Sequence, residues 1–275
     1  MHTGFFEEMG LDMILSVVPE SAQHIGERVE QQDSFGFSVS GPNPEGERSL
    51  LAVVCDGMGG MPMGRESSRL AVTAFIGACE VGKHAEPAGA ALTRAAFAAN
   101  DAVLEMAGKA GFFGRAGTTL AAVVIEKGSL YWISVGDSRV CLFRNGRLEA
   151  LSRDHNVAAR LERLVEKGKL SPEGAMSYRR PDALTSFIGI AILKEYDLSE
   201  KPVSLQDGDI VLLCTDGLYN SMTNEETEDI LLSAPRNAVQ GYIAGKIVGD
   251  VCKKKLPFQD NITILVMRIK TTDKP

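Results

Sequence analysis

The sequence predicts an α+β fold in which two antiparallel sheets pack face to face and helices cover each outer side. Three observations predict it. Short β-rich runs follow one another across two-residue turns, which implies hairpins and antiparallel pairing. The runs 50–55 and 210–215 are apolar throughout rather than alternating, so they read as strands buried on both faces. Helical stretches lie between the early and the late strands and are available for both outer faces.

In chain order, the apolar strand 50–55 precedes a helix over 65–81 and an alanine-rich helix over 87–107 that opens near a proline. Strands follow at 118–125, 130–135 and 139–143, separated by Lys127-Gly128 and Gly136-Asp137. Asn145-Gly146 is the strongest hairpin signal, because both residues tolerate positive φ, and it leads into a strand at 147–151. The stretch 156–167 is charged and helix-like, and Gly168, Ser171-Pro172 and Tyr178-Arg179-Arg180-Pro181 come after it. Few large apolar residues follow Val165, so this segment reads as a flap outside the core. A linker between two domains is the alternative. The later strands, 210–215 and 262–269, are too apolar for that, since they need the same core as the earlier ones. A helix over 224–232 is expected to be capped by Asn224, with acids in its first turn. Val239, Tyr242, Ile243 and Ile247 form the apolar stripe expected of the last helix. One domain over 1–275 is expected, with the flap at about 156–188.

Composition narrows the function. The 275 residues are 44% hydrophobic, enough for a large core, while a net charge of −7 disfavours nucleic acid and anionic membrane as partners. Lys253-Lys254-Lys255 is the only basic run. No stretch approaches 18 consecutive apolar residues, and the acidic opening 1–8 lacks the layout of a secretion signal, so a cytoplasmic location is expected. Five scattered cysteines indicate neither a disulfide framework nor a zinc knuckle. Cys55 and Cys214 end apolar runs and read as small buried hydrophobes beside acids that raise their thiol pKa.

Two of the apolar strands end abruptly in Asp-Gly, at Asp56-Gly57 and Asp216-Gly217. A carboxylate at the tip of a fixed strand, followed by a glycine that frees the next peptide, is suited to a hard metal ion. Gly59 and Gly60 would let a metal-bound water or a phosphate approach the backbone. Asp33, Asp137 and Asp260-Asn261 also stand at strand margins. Such an oxygen-rich set matches Mg²⁺ or Mn²⁺, whereas zinc would recruit histidine or cysteine, and the four histidines show no ligand spacing. Carboxylates around hard metals point to phosphate-ester hydrolysis. No Gly-Lys-Ser/Thr phosphate loop and no Gly-x-Ser-x-Gly elbow is present. Arg28 is either a clamp for the substrate phosphate or a surface ion-pair residue; its spacing leaves both open.

Read together, the motifs resemble those of the bacterial metal-dependent protein serine/threonine phosphatases, the PP2C or PPM family. The matching pieces, in order over about residues 20–269, are Arg28-Val29-Glu30-Gln31-Gln32-Asp33, Val54-Cys55-Asp56-Gly57-Met58-Gly59-Gly60, Gly117-Thr118-Thr119, Val135-Gly136-Asp137-Ser138-Arg139, Arg153-Asp154-His155-Asn156, Thr215-Asp216-Gly217-Leu218 and Asp260-Asn261. The resemblance implies a four-layer α-β-β-α sandwich with two Mg²⁺ or Mn²⁺ ions at one end and a weaker third. By the family pattern Asp56 bridges both ions, the Gly57 carbonyl binds one, and Asp216 and Asp260 bind the other. Asp33 acts through metal-bound water, Asp137 serves the third ion, and Arg28 binds the phosphate. A hydroxide between the ions would attack phosphoserine or phosphothreonine directly, without a phosphoenzyme. Phosphoproteins, including a cognate kinase, are the implied partners of a monomer. Gln32, Met58, Met61 and Ser186 depart from frequent family residues and are expected to tune activity. A phosphatase-like domain that binds without turnover, or a metal nuclease or cyclase, are the competing readings.

Overall fold

The computed structural model describes residues 13–41, 48–58, 62–81 and 86–273; Gly59, Gly60 and Met61 lie outside them. In chain order the elements are β1 (Met13–His24), β2 (Asp33–Val39), β3 (Leu50–Asp56), α1 (Gly64–Glu80), α2 (Ala88–Lys109), β4 (Leu120–Glu126), β5 (Ser129–Val135), β6 (Arg139–Arg144) and β7 (Arg147–Ala150). They continue as α3 (Val157–Glu166), α4 (Pro172–Met176), β8 (Asp197–Leu198), β9 (Val203–Ser204), β10 (Ile210–Cys214), α5 (Asp216–Tyr219), α6 (Asn224–Ser233), α7 (Tyr242–Lys253) and β11 (Ile262–Asp273).

The strands form two antiparallel sheets. One has the order β1-β11-β10-β6-β7, the other β2-β3-β4-β5-β8, with β9 also paired to β5. Strand periodicity explains the unbroken apolar runs. In β3, Leu50, Ala52 and Val54 face the other sheet, while Leu51, Val53 and Cys55 face α1 and α2. Likewise in β10, Val211 and Leu213 enter the layer between the sheets, and Ile210, Leu212 and Cys214 pack with α6 and α7. Each fully buried Leu or Ile here stabilises by roughly 1.5–3 kcal/mol. Ala95, Ala96 and Ala99 of α2 have no exposed surface, so this helix lies close against its neighbours. Among the described residues no helix is long and apolar enough to cross a membrane.

Three details differ from expectation. The N-cap of α6 is Thr223 rather than Asn224. Its hydroxyl accepts the Glu226 amide at 3.2 Å and the Glu226 carboxylate accepts the Thr223 amide at 2.9 Å, which satisfies two otherwise free donors. Val239 lies outside α7 and is exposed; the buried stripe is Ile243, Ala244, Ile247, Val248 and Val251. Strand β1 has no clear sequence signal, since Pro19 and Glu20 interrupt it. Among the described strands it lies at a sheet edge and pairs only with β11, which is where proline is tolerated. Buried Glu20 is matched by Arg268 at 2.7 Å and accepts the Ile243 amide at the start of α7 at 3.0 Å.

Within 156–188, Leu161 is buried on α3, and α4 buries no residue. The far end returns to the core, where Ile188 bridges Thr118.

Candidate metal centre

The acidic residues meet where β2 begins and β3 ends. Antiparallel register sets Asp33 directly opposite Asp56. Asp33 is buried, and its Oδ2 accepts the hydroxyls of Thr215 at 3.0 Å and Thr263 at 2.7 Å, both from the other sheet's end. Its Oδ1 is buried with no partner among the described residues. The Asp56 peptide is fixed on both sides: its amide donates to Thr119 Oγ1 at 2.9 Å, and its carbonyl accepts Thr118 Oγ1 at 2.7 Å. Behind it, the Thr119 and Ser138 hydroxyls are 2.7 Å apart. A side chain at Gly57 would meet the Gly64 carbonyl oxygen at 2.3 Å, so only glycine fits this turn.

Asp216 opens the single-turn helix α5. Its Oδ2 accepts the side-chain Nδ2 of Asn220 at 3.2 Å, while Oδ1 is buried with no hydrogen-bond partner among the described residues. Asp260 Oδ2 accepts Arg28 Nη2 at 2.6 Å, and its Oδ1 accepts the Asn261 amide at 2.8 Å. Asn261 staples the preceding loop: its Oδ1 accepts the Gln32 amide at 2.7 Å, and its Nδ2 donates to the carbonyls of Ile25 and Glu30 at 2.8 and 3.1 Å. Asp137 follows Gly136, whose φ of +97° suits glycine; its carbonyl accepts the Tyr219 hydroxyl at 3.0 Å, and its Oδ2 has a long 3.5 Å contact with Asn156 Nδ2.

These five acids act on one another electrostatically. Burial, and then the charges of Asp33, Asp216, Asp260 and Asp137, hold the Asp56 carboxyl well above the usual range. Burial chiefly pushes Asp216 up to about 7, with Asp137 next, and Asp33 up to about 6 against the lowering effect of its two threonine hydroxyls. Asp137 is likewise raised to about 6 by burial. The carboxyl of Asp56 neighbours those of both Asp33 and Asp216. Among the described residues no Arg or Lys forms an ion pair with Asp33, Asp56, Asp137 or Asp216. Nor do any three Asp, Glu, His or Cys side chains among them form a ready metal-ligand set. Two orphaned buried carboxylate oxygens in a cluster of hard oxygen donors nevertheless fit Mg²⁺ or Mn²⁺, because a cation would relieve both the repulsion and the lost solvation.

The model of the family described as Protein phosphatase 2C matches residues 21–240. The chain belongs to this family. The Listeria welshimeri serine/threonine phosphatase stp is 32% identical over 186 residues, 66% of this chain and 72% of that protein. The solved Mycobacterium tuberculosis phosphatase PstP/Ppp matches with a TM-score of 0.72 and 25% identity, over 94% of this chain and 99% of that one. A PstP catalytic domain solved in complex with two manganese ions matches with a TM-score of 0.67 and 24% identity, over 94% and 99%. The chain is a bacterial-type serine/threonine phosphatase of the protein phosphatase 2C family.

Within this phosphatase 2C sandwich, Ser186 is buried and donates to the Glu195 carbonyl at 2.5 Å, so it serves packing rather than solvent-side contacts. Burial and the charges of Asp56 and Asp33 push the Cys55 thiol up, which keeps it out of nucleophilic use. The sequence alone assigns no role to Thr215 or Thr263, although Thr215 lies in the Thr215-Asp216-Gly217 motif. A lone hydroxyl in an apolar strand, Ile262-Thr263-Ile264, sets Thr263 apart without naming its partner, whereas Thr215 stands between Cys214 and Asp216 and shows no such pattern. Tyr219 carries no such signal.

Proposed function

We propose that this chain hydrolyses phosphoserine and phosphothreonine in proteins at a centre of two Mg²⁺ or Mn²⁺ ions, by direct attack of water and without a phosphoenzyme. The observation that carries this reading is the pair of buried oxygens, Asp33 Oδ1 and Asp216 Oδ1, that have no hydrogen-bond partner among the described residues and lie inside a cluster of mutually repelling carboxylates. The manganese-bound relative supports the choice of ion and the number two. Asp56, whose carboxyl neighbours both Asp33 and Asp216, would hold both ions, with the Gly57 carbonyl on one and Asp216 and Asp260 on the other. Asp33 would act through an intervening water, and Asp137 would hold a weaker third ion. When bound, the ions supply counter-charge for the phosphoryl oxygens and the acidified water that hydrolysis at neutral pH requires.

The chain's own residues position and orient. Only Nη2 of the Arg28 guanidinium is engaged among the described residues, so the remaining N–H groups can grip two phosphate oxygens beside Asp260. The Thr215 and Thr263 hydroxyls fix Asp33 and leave its Oδ1 aimed at the centre. Residues 1–275 act as one catalytic domain, with 156–188 as a flap that selects among phosphoproteins, a cognate kinase included.

The test is hydrolysis of an aryl phosphate and a phosphothreonine peptide after chelation, with and without restored Mn²⁺. Asp56→Ala and Asp216→Asn should each lose turnover by orders of magnitude, whereas Arg28→Ala should mainly raise KM. Turnover that survives chelation, or an Asp56→Ala protein as active as the parent, refutes the proposal.

A further inference from the structure

Tyr219 ends the single-turn helix that Asp216 begins, and it reaches across to the turn carrying Asp137. Two contacts hold it there. Its hydroxyl donates to the Asp137 carbonyl at 3.0 Å, and the Arg139 guanidinium lies over its ring, 3.5 Å from the centroid. Arg139 is itself fixed by a fork of two hydrogen bonds to Asp154, at 3.0 and 2.7 Å. Two residues beyond Asp154, Asn156 caps α3 by accepting the Ala159 amide at 2.9 Å, and the same side chain contacts Asp137 Oδ2. The Asp216 helix, the Asp137 turn and the first helix of the 156–188 segment are therefore joined through one phenol ring and one guanidinium.

We propose that Tyr219 is a positioning residue that sets the Asp137 carboxylate relative to Asp216, and thereby fixes the affinity of the ion held by Asp137. The inference rests on the metal centre proposed above. Tyr219 does not act on substrate: its hydroxyl hydrogen is committed to a main-chain carbonyl, and its ring is covered on one face by Arg139. Its effect is geometric. A planar ring clamped by a cation–π contact moves little, so the turn hydrogen-bonded to it is held in one place.

Tyr219→Phe keeps the ring beneath Arg139 and removes only the hydroxyl. Calorimetric Mn²⁺ titration of the parent, Tyr219→Phe, Asp137→Asn and the double variant separates the roles. Tyr219→Phe should leave the tight binding unchanged and weaken the weak step by about 3- to 10-fold, the scale of one lost hydrogen bond. The double variant should titrate like Asp137→Asn alone, because the hydroxyl acts through that carboxylate. A Tyr219→Phe titration that matches the parent overturns the inference, and so does a further loss of binding in the Asp137→Asn background. A purely structural role would instead lower the melting temperature in both backgrounds without selecting the weak step. A parent protein that binds no Mn²⁺ at all would remove the metal centre itself, an outcome distinct from either of these.

Discussion

At the scale of single residues, the metal-free centre works against the fold. Asp33 and Asp137 are raised to about 6 and Asp216 to about 7, from an ordinary value of 3.8, so the folded chain binds more protons than the unfolded one across the intervening range. The stability these groups allow is complete below about pH 4. It is lost as pH rises through 6 to 7. Chelated protein should therefore melt higher at pH 6 than at pH 8. Asp216→Asn should flatten this slope and raise the metal-free stability at pH 8 by roughly 1–3 kcal/mol, since one pKa unit is worth about 1.4 kcal/mol. Melting of the chelated parent that is the same at both pH values would contradict the electrostatic description. The substitution expected to abolish turnover is thus also expected to strengthen the empty protein.

At the scale of elements, α5 meets the residue before β11 with no room for a side chain. A side chain at Gly217 would place Cβ only 1.9 Å from the Asn261 carbonyl oxygen, and the same Asn261 staples the loop that presents Arg28 and Asp33. Gly217→Ala should cost at least about 1–3 kcal/mol, the usual range for overpacking, and should impair activity by displacing Asn261. Denaturant unfolding beside a turnover assay checks this, and a Gly217→Ala protein equal to the parent in both would show that the joint yields freely. The Asp-Gly turns were legible in the sequence because their signal is local: an apolar run, an acid, a glycine. The hairpin at Asn145-Gly146 was legible for the same reason. Strand β1 was not, because Pro19 and Glu20 mask a pairing that only its edge position and Arg268 make acceptable. The cap of α6 is not decided by the sequence, since Thr223 and Asn224 are both good caps and only the reciprocal bond with Glu226 separates them. The hydroxyl partners of Asp33 stand 182 and 230 positions away, so no local pattern could assign them.

At the scale of the whole molecule, the centre lies where the two sheets come together, and cation binding should be felt by the entire fold. Mn²⁺ at 100 times its dissociation constant should add about 2.7 kcal/mol by mass action. The melting temperature of the parent should rise accordingly, while that of Asp56→Ala stays near its metal-free value; equal rises in both would place the ion elsewhere. Among the five acids, Asp33 is unusual in belonging to one sheet while both of its hydroxyl partners belong to the margin of the other. If the sheets slide past one another, the carboxylate loses its threonines before any strand separates. Catalysis in this enzyme is then a vernier for the sandwich: a substitution in the inter-sheet core such as Ile269→Ala, well along β11 from Thr263, can be read out as poorer metal retention while both sheets remain intact.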